Sequence, residues 1–465
     1  MRKLPLVSAL TLAGLGVGVH AAPTFDLGSF VQHQLFAKSR QLFGIVQPVA
    51  SSSTESVDAA TAEADPASLV TVAKGLSVSV VTAAPNAGPN IDMMAPWPDA
   101  VTPTHLIACN EQDPEDPGVQ RIRLSDGQVE TILIGTDSCD PVRVTAWGTI
   151  IVGEEAGNSG WLIEIADPLA TTGVTFDRNT GISSDPAHVV ARPAVGRLSW
   201  EGIALYDSGV MYYGDENRPF QGTPGGAYFK FVPDNPWTGG APITDLSQSP
   251  LVSGSVYGLR LGLRSGGTDY GQGSNTGLGT WISIPGSNVD LRAAAAANDL
   301  TGYYRPEDAD VDQAAEAVGE VRFCGNNTGN EGTDQNYGET ICVTDGTLDE
   351  AVGNTATPEV QYLVVGYPDF AMMDNIAYQP GRGNWLIQED GDGPDVGRNN
   401  DIFSCLDDGP DDNLLSDGCI RVLTVNDLEA ETTGGIFDAT GKRYWVSVQH
   451  NVTGHGVVLE LTGWK

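Results

Sequence analysis

Basic residues are scarce in this chain. It has 24 lysines and arginines against 60 aspartates and glutamates, which gives a formal net charge of −36 at pH 7. Such a surface repels the phosphate backbone of nucleic acids and the anionic face of membranes. The composition therefore excludes nucleic acids and membranes as partners. We expect a monomer that binds a small molecule, with clustered carboxylates available for divalent cations.

Long apolar segments are missing beyond the first 22 residues. A basic pair at residues 2–3 precedes an apolar run over residues 4–19 and small residues at 21–22, which is the pattern of a secretory signal peptide. The run is too short and too rich in glycine for a permanent membrane anchor. The basic pair is not a twin-arginine pair, which favours export of the unfolded chain. We therefore expect export to the periplasm or the extracellular space.

Cysteine and histidine are also few, six of each. The cysteines fall into three neighbouring pairs, and in an oxidising compartment three local disulfides are the simplest interpretation. The pairs are Cys109 with Cys139, Cys324 with Cys342, and Cys405 with Cys419. This pairing leaves no free thiolate. Since only His450 ends a repeated unit, an ordinary zinc site, which needs His or Cys ligands, is not expected.

Long helical periodicity is scarce, whereas glycine is abundant. Residues 23–72 include a run rich in Ser, Thr, Ala and Glu, which predicts a flexible N-terminal segment. From residue 73 to residue 465 short alternating strands and turn residues follow one another, which predicts a single all-β domain. An alanine-rich stretch at residues 290–300 predicts one small helix inserted between strands.

Five stretches share one plan: an alternating strand, a glycine turn, a second strand and a polar end. They occupy residues 146–155, 201–216, 307–326, 374–390 and 434–450. Imperfect repetition of a small β unit is typical of a β-propeller. If the units are arranged radially, their matching ends meet at one axis. The acidic residues at those ends would then form a single metal site.

Not every acidic residue of the repeats is a candidate ligand. Asp207, Asp312 and Asp438 lie in the middle of their hairpins, where ordinary turn geometry explains them. Others adjoin apolar strand residues, where a charge is costly unless a cation neutralises it. These are Glu154, Glu155, Glu201, Glu307 and Asp308. Their hard oxygen donors suit Ca²⁺, Mg²⁺ or Fe³⁺ better than zinc.

Several motifs occur in a familiar order. They are Trp-Gly-Thr-Ile-Ile-Val-Gly-Glu-Glu at 147–155, Arg-Leu-Ser-Trp-Glu-Gly at 197–202, Arg-Pro-Glu-Asp at 305–308, Asp-Asn-Ile-Ala at 374–377, Gln-Glu-Asp-Gly-Asp at 388–392 and Val-Ser-Val-Gln-His at 446–450. In these motifs the chain resembles the PhoX-type alkaline phosphatases over residues 73–462. The resemblance implies a six-bladed β-propeller with an axial cluster of iron and calcium that hydrolyses phosphate monoesters.

The resemblance also implies roles for single residues. Arg305 would contact the phosphate and act in catalysis. Asn375 and His450, in the repeated units, are further candidates for substrate binding. The resemblance implies metal binding by Glu154, Glu155, Glu201 and Glu307. Together with the other acidic ends of the repeats, the candidate metal ligands are Glu154, Glu155, Glu201, Glu307, Asp308, Asp374, Glu389 and Asp390. This chemistry is consistent with the residue types, because cations and an arginine fork can spread the charge of a transferring phosphoryl group.

Two departures from the family leave the function open. The family places a cysteine that ligates iron before the Glu-Glu pair, and this chain has Gly153 there; the family also commonly leaves by the twin-arginine route. Both differences favour loss or replacement of the iron, with calcium remaining. The alternatives are a phosphatase, a calcium-stabilised extracellular propeller that binds a ligand without hydrolysis, and a calcium-dependent lactonase-like hydrolase using Glu201 and Asn375.

Overall fold

The computed structural model describes residues 27–219, 224–262, 275–332, 335–391, 393–409 and 413–465. The predicted signal peptide, residues 1–22, lies outside these ranges. The α-helices within them are short: α1 Leu27–Ala37, α2 Ser39–Leu42, α3 Ala59–Ala64, α4 Leu291–Ala297, α5 Gln313–Ala317, α6 Leu348–Gly353 and α7 Gly393–Val396. None of the described helices is long and apolar enough to cross a membrane.

Strands make up most of the regular structure. In chain order they are β1 Val70–Val72, β2 Ser77–Thr82, β3 Ile91–Trp97, β4 His105–Asn110, β5 Pro117–Arg123, β6 Val129–Ile134, β7 Cys139–Val144, β8 Thr149–Glu154, β9 Leu162–Ala166, β10 Val174–Asp177, β11 Ile182–Ser183, β12 Val189–Ala191, β13 Trp200–Leu205, β14 Met211–Asp215, β15 Tyr228–Pro233, β16 Gly254–Leu261, β17 Gly277–Ile284, β18 Pro306–Val311, β19 Glu320–Asn327, β20 Glu339–Thr347, β21 Glu359–Val365, β22 Met373–Tyr378, β23 Trp385–Glu389, β24 Asp401–Cys405, β25 Cys419–Val425, β26 Glu431–Phe437, β27 Arg443–Gln449 and β28 Val457–Thr462. The fold is therefore all-β, as the sequence predicts.

The sheets are built mainly from consecutive antiparallel strands. Their orders are β11-β10-β6-β5-β4-β3, β12-β9-β8-β7, β13-β14-β15-β16-β17-β21-β20-β19-β18, β1-β25-β24-β23-β22 and β2-β28-β27-β26. The nine-stranded sheet consists of two consecutive groups joined at their outer edges, where β17 pairs with β21. Six groups of consecutive strands result, and each begins with one inner strand.

The six inner strands, β3, β7, β13, β18, β22 and β26, form a closed ring. Each one contacts the inner strand of the next group, and β26 contacts β3. Apolar side chains fill the spaces between neighbouring sheets; Trp147, Trp200 and Phe229 belong to one such core cluster. The ring brings equivalent ends of distant segments to one axis.

Each inner strand carries a β-bulge near its start. In β7, for example, the pairing register with β8 shifts between Cys139 and Val142. The bulge therefore contains the second and third residues of β7. The equivalent bulges of β3, β13, β18 and β22 also contain the second and third residues of the strand, whereas the bulge of β26 contains the fourth and fifth. A bulge redirects the side chains of the bulged residues. It thereby sets which residues point toward the axis.

The N-terminal segment is more ordered than its composition suggests. Instead of a flexible spacer over residues 23–72, the structure shows Phe43, Ile45 and Leu69 fully buried against the last two sheets. In addition, β1 pairs with β25. The difference arises because apolar residues flank the polar run and dock it, and free sheet edges accept its backbone hydrogen bonds.

Two sequence predictions of local structure are confirmed. The helix expected within residues 290–300 is α4, and the Asp290 side chain caps it by accepting from Ala293 N at 2.9 Å. The three expected disulfides also form. Cys109–Cys139 links β4 to β7 in the neighbouring sheet, whereas the other two bridges connect paired strands within one sheet.

Candidate metal centre

A first ring of side chains comes from the bulged positions of the inner strands. The second residue of five inner strands is acidic: Asp92, Asp140, Glu201, Glu307 and Asp374. In β26, where the bulge lies later, the first residue, Glu431, takes part instead. Five of these six side chains are buried, and Asp374 is half-buried.

A second ring comes from the residue that follows the second strand of each hairpin. These residues are Glu111, Glu155, Glu216, Thr328, Asp390 and His450. They contact the first ring: Thr328 Oγ1 donates a hydrogen bond to Glu307, and His450 Nε2 lies 3.5 Å from Glu431 Oε1. The ten carboxylates of the two rings are called the axial cluster below.

Carboxylate oxygens within the axial cluster lie close enough to share cations. Three triads have ligand atoms all within 4.8 Å of one another: Asp92 with Glu111 and Asp140, Glu201 with Glu307 and Asp374, and Asp374 with Asp390 and Glu431. The shared Asp374 joins two of the triads. Hard oxygen donors in this arrangement fit Ca²⁺, and they also fit Fe³⁺.

The electrostatics of the axial cluster favour bound cations. Burial, followed by repulsion from neighbouring carboxylates, raises the pKa of Glu155, Asp374 and Glu431 well above the ordinary value. Burial raises the pKa of Glu307 to about 7, against the opposing effect of Arg305. These acids therefore resist ionisation in a metal-free protein, and bound cations would remove that resistance.

Arg305 reaches into the axial cluster from the residue before β18. Its Nε donates to Glu216 Oε1 at 2.8 Å and lies 3.2 Å from Glu307 Oε1, and one terminal nitrogen lies 3.7 Å from Asp390 Oδ2. Its backbone has a positive φ of 57°, a strained conformation that such sites often hold. His450, with φ 54°, shares this feature. Both residues, which the sequence analysis proposes for substrate binding, contact carboxylates of the axial cluster.

The structure does not bring Glu154 and Glu389 to the axial cluster. Glu154 accepts from Arg178 Nε at 2.8 Å and from Trp161 N, and Glu389 accepts from Arg398 at 2.8 Å. Each ends a second strand and points away from the neighbouring second-ring residue. An arginine pairs with each of these carboxylates, and neither carboxylate belongs to a triad of the axial cluster, so the expectation that Glu154 and Glu389 bind metal is corrected: they anchor loops.

Asp308 and Asn375 occupy third positions of their inner strands and tie strands together. Asp308 Oδ1 accepts from Arg143 at 2.7 Å and Oδ2 accepts from Ile376 N at 3.3 Å. Asn375 Oδ1 accepts from Gly434 N at 2.9 Å. Contrary to the expectation from the sequence, Asp308 therefore serves as a clamp between strands rather than as a ligand, and the Asn375 amide oxygen is used in the same way.

Several members of the axial cluster are not among the predicted ligands. They are Asp92, Glu111, Asp140, Glu216 and Glu431. One signal could have found all of them except Glu431, because each of the other four has the same position relative to its hairpin as a predicted ligand. Glu111 and Glu216, for example, follow their second strands as Glu155 does.

The chain supplies no thiolate to this centre. All six cysteines are in disulfides. A Cβ added at Gly153 would lie 2.5 Å from Trp200 Cβ and 2.8 Å from Pro141 Cγ, so Trp200 fills the space that a side chain there would need. Iron bound here would have only oxygen and nitrogen ligands.

The fold of this chain is similar to that of solved structures. The chain resembles the structure of Pseudomonas fluorescens PhoX in complex with vanadate, a transition state analogue, with a TM-score of 0.63 at 15% identity over 90% of this chain and 97% of that one. Weaker likenesses include a gluconolactonase from Xanthomonas campestris (TM-score 0.42, 13% identity, 89% and 96% covered) and the PQQ-bound aldose sugar dehydrogenase from Streptomyces coelicolor (0.41, 12%, 83% and 98%). No curated protein sequence matches.

The match in sequence covers most of the chain. The family described as alkaline phosphatase PhoX matches residues 116–451, which include five of the six inner strands and most of the axial cluster. The protein therefore belongs to the PhoX alkaline phosphatase family.

Proposed function

We propose that this protein is an exported, metal-dependent phosphatase that hydrolyses small phosphate monoesters at the axial cluster. The observation that carries the proposal is the convergence of ten carboxylates from six strand groups around Arg305. The enclosed carboxylates favour bound cations, and a cation cluster beside a guanidinium is suited to a phosphoryl group. Membership of the PhoX family supports the same reaction.

The chain's own residues would hold the cations, bind the phosphate and line the approach of the substrate. Bound cations would supply electrophilic stabilisation of the phosphoryl oxygens and activation of the attacking oxygen. The acidic residues of the two rings, apart from Glu216, would hold those cations at fixed positions. Arg305 would grip phosphate oxygens with its terminal nitrogens, while its Nε stays on Glu216. His450, half exposed beside Glu431, would line the approach of the substrate.

Calcium is the cofactor that the donor set favours most. Burial in oxygen-rich triads suits its flexible coordination. Fe³⁺ is the second proposed cofactor, and here it would bind through the carboxylates without the thiolate that the family uses.

The closed ring of inner strands supports a six-bladed propeller over residues 73–465, with the fused outer edges of two blades and α4 as embellishments. Three disulfides support an oxidising compartment, and thus export to the periplasm or extracellular space through the signal peptide proposed at residues 1–22. We propose that the mature protein acts as a monomer.

Elemental analysis of the purified protein, combined with a p-nitrophenyl phosphate assay with and without added calcium, tests the proposed function. We expect calcium to copurify and hydrolysis to depend on it. A metal-loaded protein that hydrolyses no phosphate monoester would contradict the phosphatase.

One observation favours a second candidate, a calcium-stabilised propeller that binds a ligand without hydrolysing it. Gly153 and the fully paired cysteines remove the thiolate that the family uses for iron. In this case calcium would raise the thermal stability of the protein and phosphate esters would bind without turnover. The same assay separates the two candidates.

A further inference from the structure

Three second strands end in a buried carboxylate that is paired with an arginine. Glu154 pairs with Arg178, Asp215 with Arg292, and Glu389 with Arg398. Each carboxylate lies opposite the start of its inner strand and also accepts from a backbone N–H; Asp215, for instance, accepts from Ser199 N at 3.1 Å. The three pairs are equivalent in position, so their differences are informative.

Arg292 differs from Arg178 and Arg398 because it extends to the next residue. It holds both oxygens of Asp215 at 2.8 Å and also donates to the backbone carbonyl of Glu216. Glu216 N donates to Ser199 O at 3.1 Å. Both backbone polar groups of Glu216 are therefore occupied, and its main chain is fixed from two sides.

Glu216 and its neighbour in turn hold Arg305. The side chain of Glu216 accepts from Arg305 Nε at 2.8 Å, and Asn217 O accepts from Arg305 N at 3.2 Å. On the other side, Arg305 O accepts from Thr328 N at 3.1 Å. One short segment thus restrains both the backbone and the guanidinium of Arg305, which explains how the positive φ is maintained.

The source of Arg292 is the inserted helix α4. Leu291 is fully buried, and its N–H donates to Arg197 O at 2.9 Å, so the start of α4 is attached to the chain just before β13. Arg292 is the next residue and turns toward Asp215. The inserted helix α4 is therefore linked to the guanidinium of Arg305 through Arg292 and Glu216.

We infer that Arg292 and Glu216 are positioning residues that aim Arg305 at the phosphate of the substrate. Glu216 thereby acts on Arg305 and is not needed to retain the cations. The inference deepens the proposed function and depends on it for the identity of the ligand. A guanidinium held at Nε presents its two terminal nitrogens in a fixed orientation, which suits two oxygens of one phosphate.

Arg292→Met, with Arg178→Met as the matched control, tests the inference in the full mature, metal-loaded protein. Both variants break an equivalent buried pair, but only Arg292 is connected to Arg305. In Arg292→Met we expect KM for p-nitrophenyl phosphate to rise about tenfold and kcat to change little. A tenfold rise corresponds to the loss of one charge-assisted contact between Arg305 and the phosphate. Arg178→Met should change KM less than about twofold, the range of context effects on one contact.

Glu216→Gln provides a second variant that keeps the shape of the side chain. We expect a raised KM with unchanged metal content by elemental analysis. Loss of metal from Glu216→Gln would overturn the inference, because Glu216 would then be a ligand. An unchanged KM in Arg292→Met, or an equal rise in both arginine variants, would overturn it as well.

The Arg305 Nε–H signal in NMR separates failure of the inference from failure of the proposed function. If the wild-type protein hydrolyses no phosphate ester, the proposed function fails. The inference then stands if this N–H exchanges slowly in the wild type and in Arg178→Met but rapidly in Arg292→Met. Equal exchange in all three proteins would overturn it.

Discussion

At the scale of single residues, adjacent carboxylates have opposite roles. Glu154 is compensated by Arg178, whereas Glu155, the next residue, lies among Glu111, Glu216 and Glu307. The distinction follows from alternation along the chain, which sends neighbouring side chains in opposite directions. A pair of glutamates therefore supplies one anchor and one candidate ligand.

Glu307→Gln should lower the metal content and the phosphatase activity together. The substitution keeps the volume of the side chain but removes the charge from a triad whose oxygens lie within 4.8 Å of one another. We expect activity to fall by at least about a hundredfold, as for other preorganised electrostatic groups. Elemental analysis and the ester assay measure both effects. Retention of full metal content would contradict the assignment of Glu307 as a metal ligand. Glu154→Gln is the matched control, and we expect this variant to retain the metal content of the unmodified protein.

Gly153→Cys should destabilise the protein rather than restore an iron site. The new Cβ would lie 2.5 Å from Trp200 Cβ, an atom that cannot rotate away. We expect overpacking to lower the free energy of unfolding by about 1–3 kcal/mol, with no gain in iron. Chemical denaturation and elemental analysis check this. A stable variant with increased iron would show that the family site persists and that Trp200 yields.

At the scale of elements, the bulged inner strand is the unit that builds the site. The bulge points the second residue at the axis, and the ion pair Arg143–Asp308 links β7 to β18, the next inner strand but one. Arg143 also donates to Ile203 O at 2.9 Å, so one side chain from β7 ties β13 and β18. The positions of the ligands are therefore set by strand register more than by loops.

Phe43→Ala should show that the N-terminal segment is part of the folded domain. Phe43 is fully buried against the last two sheets, whereas Phe30 in α1 is 47% exposed. We expect Phe43→Ala to lower the free energy of unfolding by about 3–5 kcal/mol, the usual cost of deleting a buried ring. Phe30→Ala should have a much smaller effect in the same denaturation experiment. Equal effects would mean that this segment does not pack as described.

At the scale of the whole molecule, the repeats made the fold and the axis predictable. The polar ends of five hairpins predicted the convergence that places Glu155, Glu201 and Glu307 together. Which acidic residue of each hairpin joins the axial cluster, and which one pairs with an arginine, was not predictable. A bulge has no strong local signature in the sequence, and the arginine partners come from distant loops. Arg178 and Arg398 decide that Glu154 and Glu389 are anchors, and their placement is a tertiary effect. The docking of the N-terminal segment is also tertiary.

Removal of metal should make stability fall as the pH rises. Burial raises the folded-state pKa of Glu307 to about 7 and raises that of Asp374 well above its ordinary value, so the metal-free folded state binds more protons than the unfolded chain. The stability contributed by Glu307 is fully present below about pH 4.5, the ordinary value, and is lost as the pH rises through about 7. Thermal denaturation of the chelated protein between pH 4.5 and 8 measures this loss. Added calcium should reverse this loss of stability, because the ionised carboxylates bind the cation. Identical dependence of stability on pH with and without calcium would contradict a metal site at the axial cluster.

The most direct test of the axial metal centre is a crystal structure of the purified protein with anomalous diffraction data collected for calcium and iron. We expect anomalous peaks on the axis, within bonding distance of Glu201, Glu307 and Asp374 and next to the terminal nitrogens of Arg305. An axis without such peaks, with these carboxylates protonated or paired among themselves, would contradict this expectation.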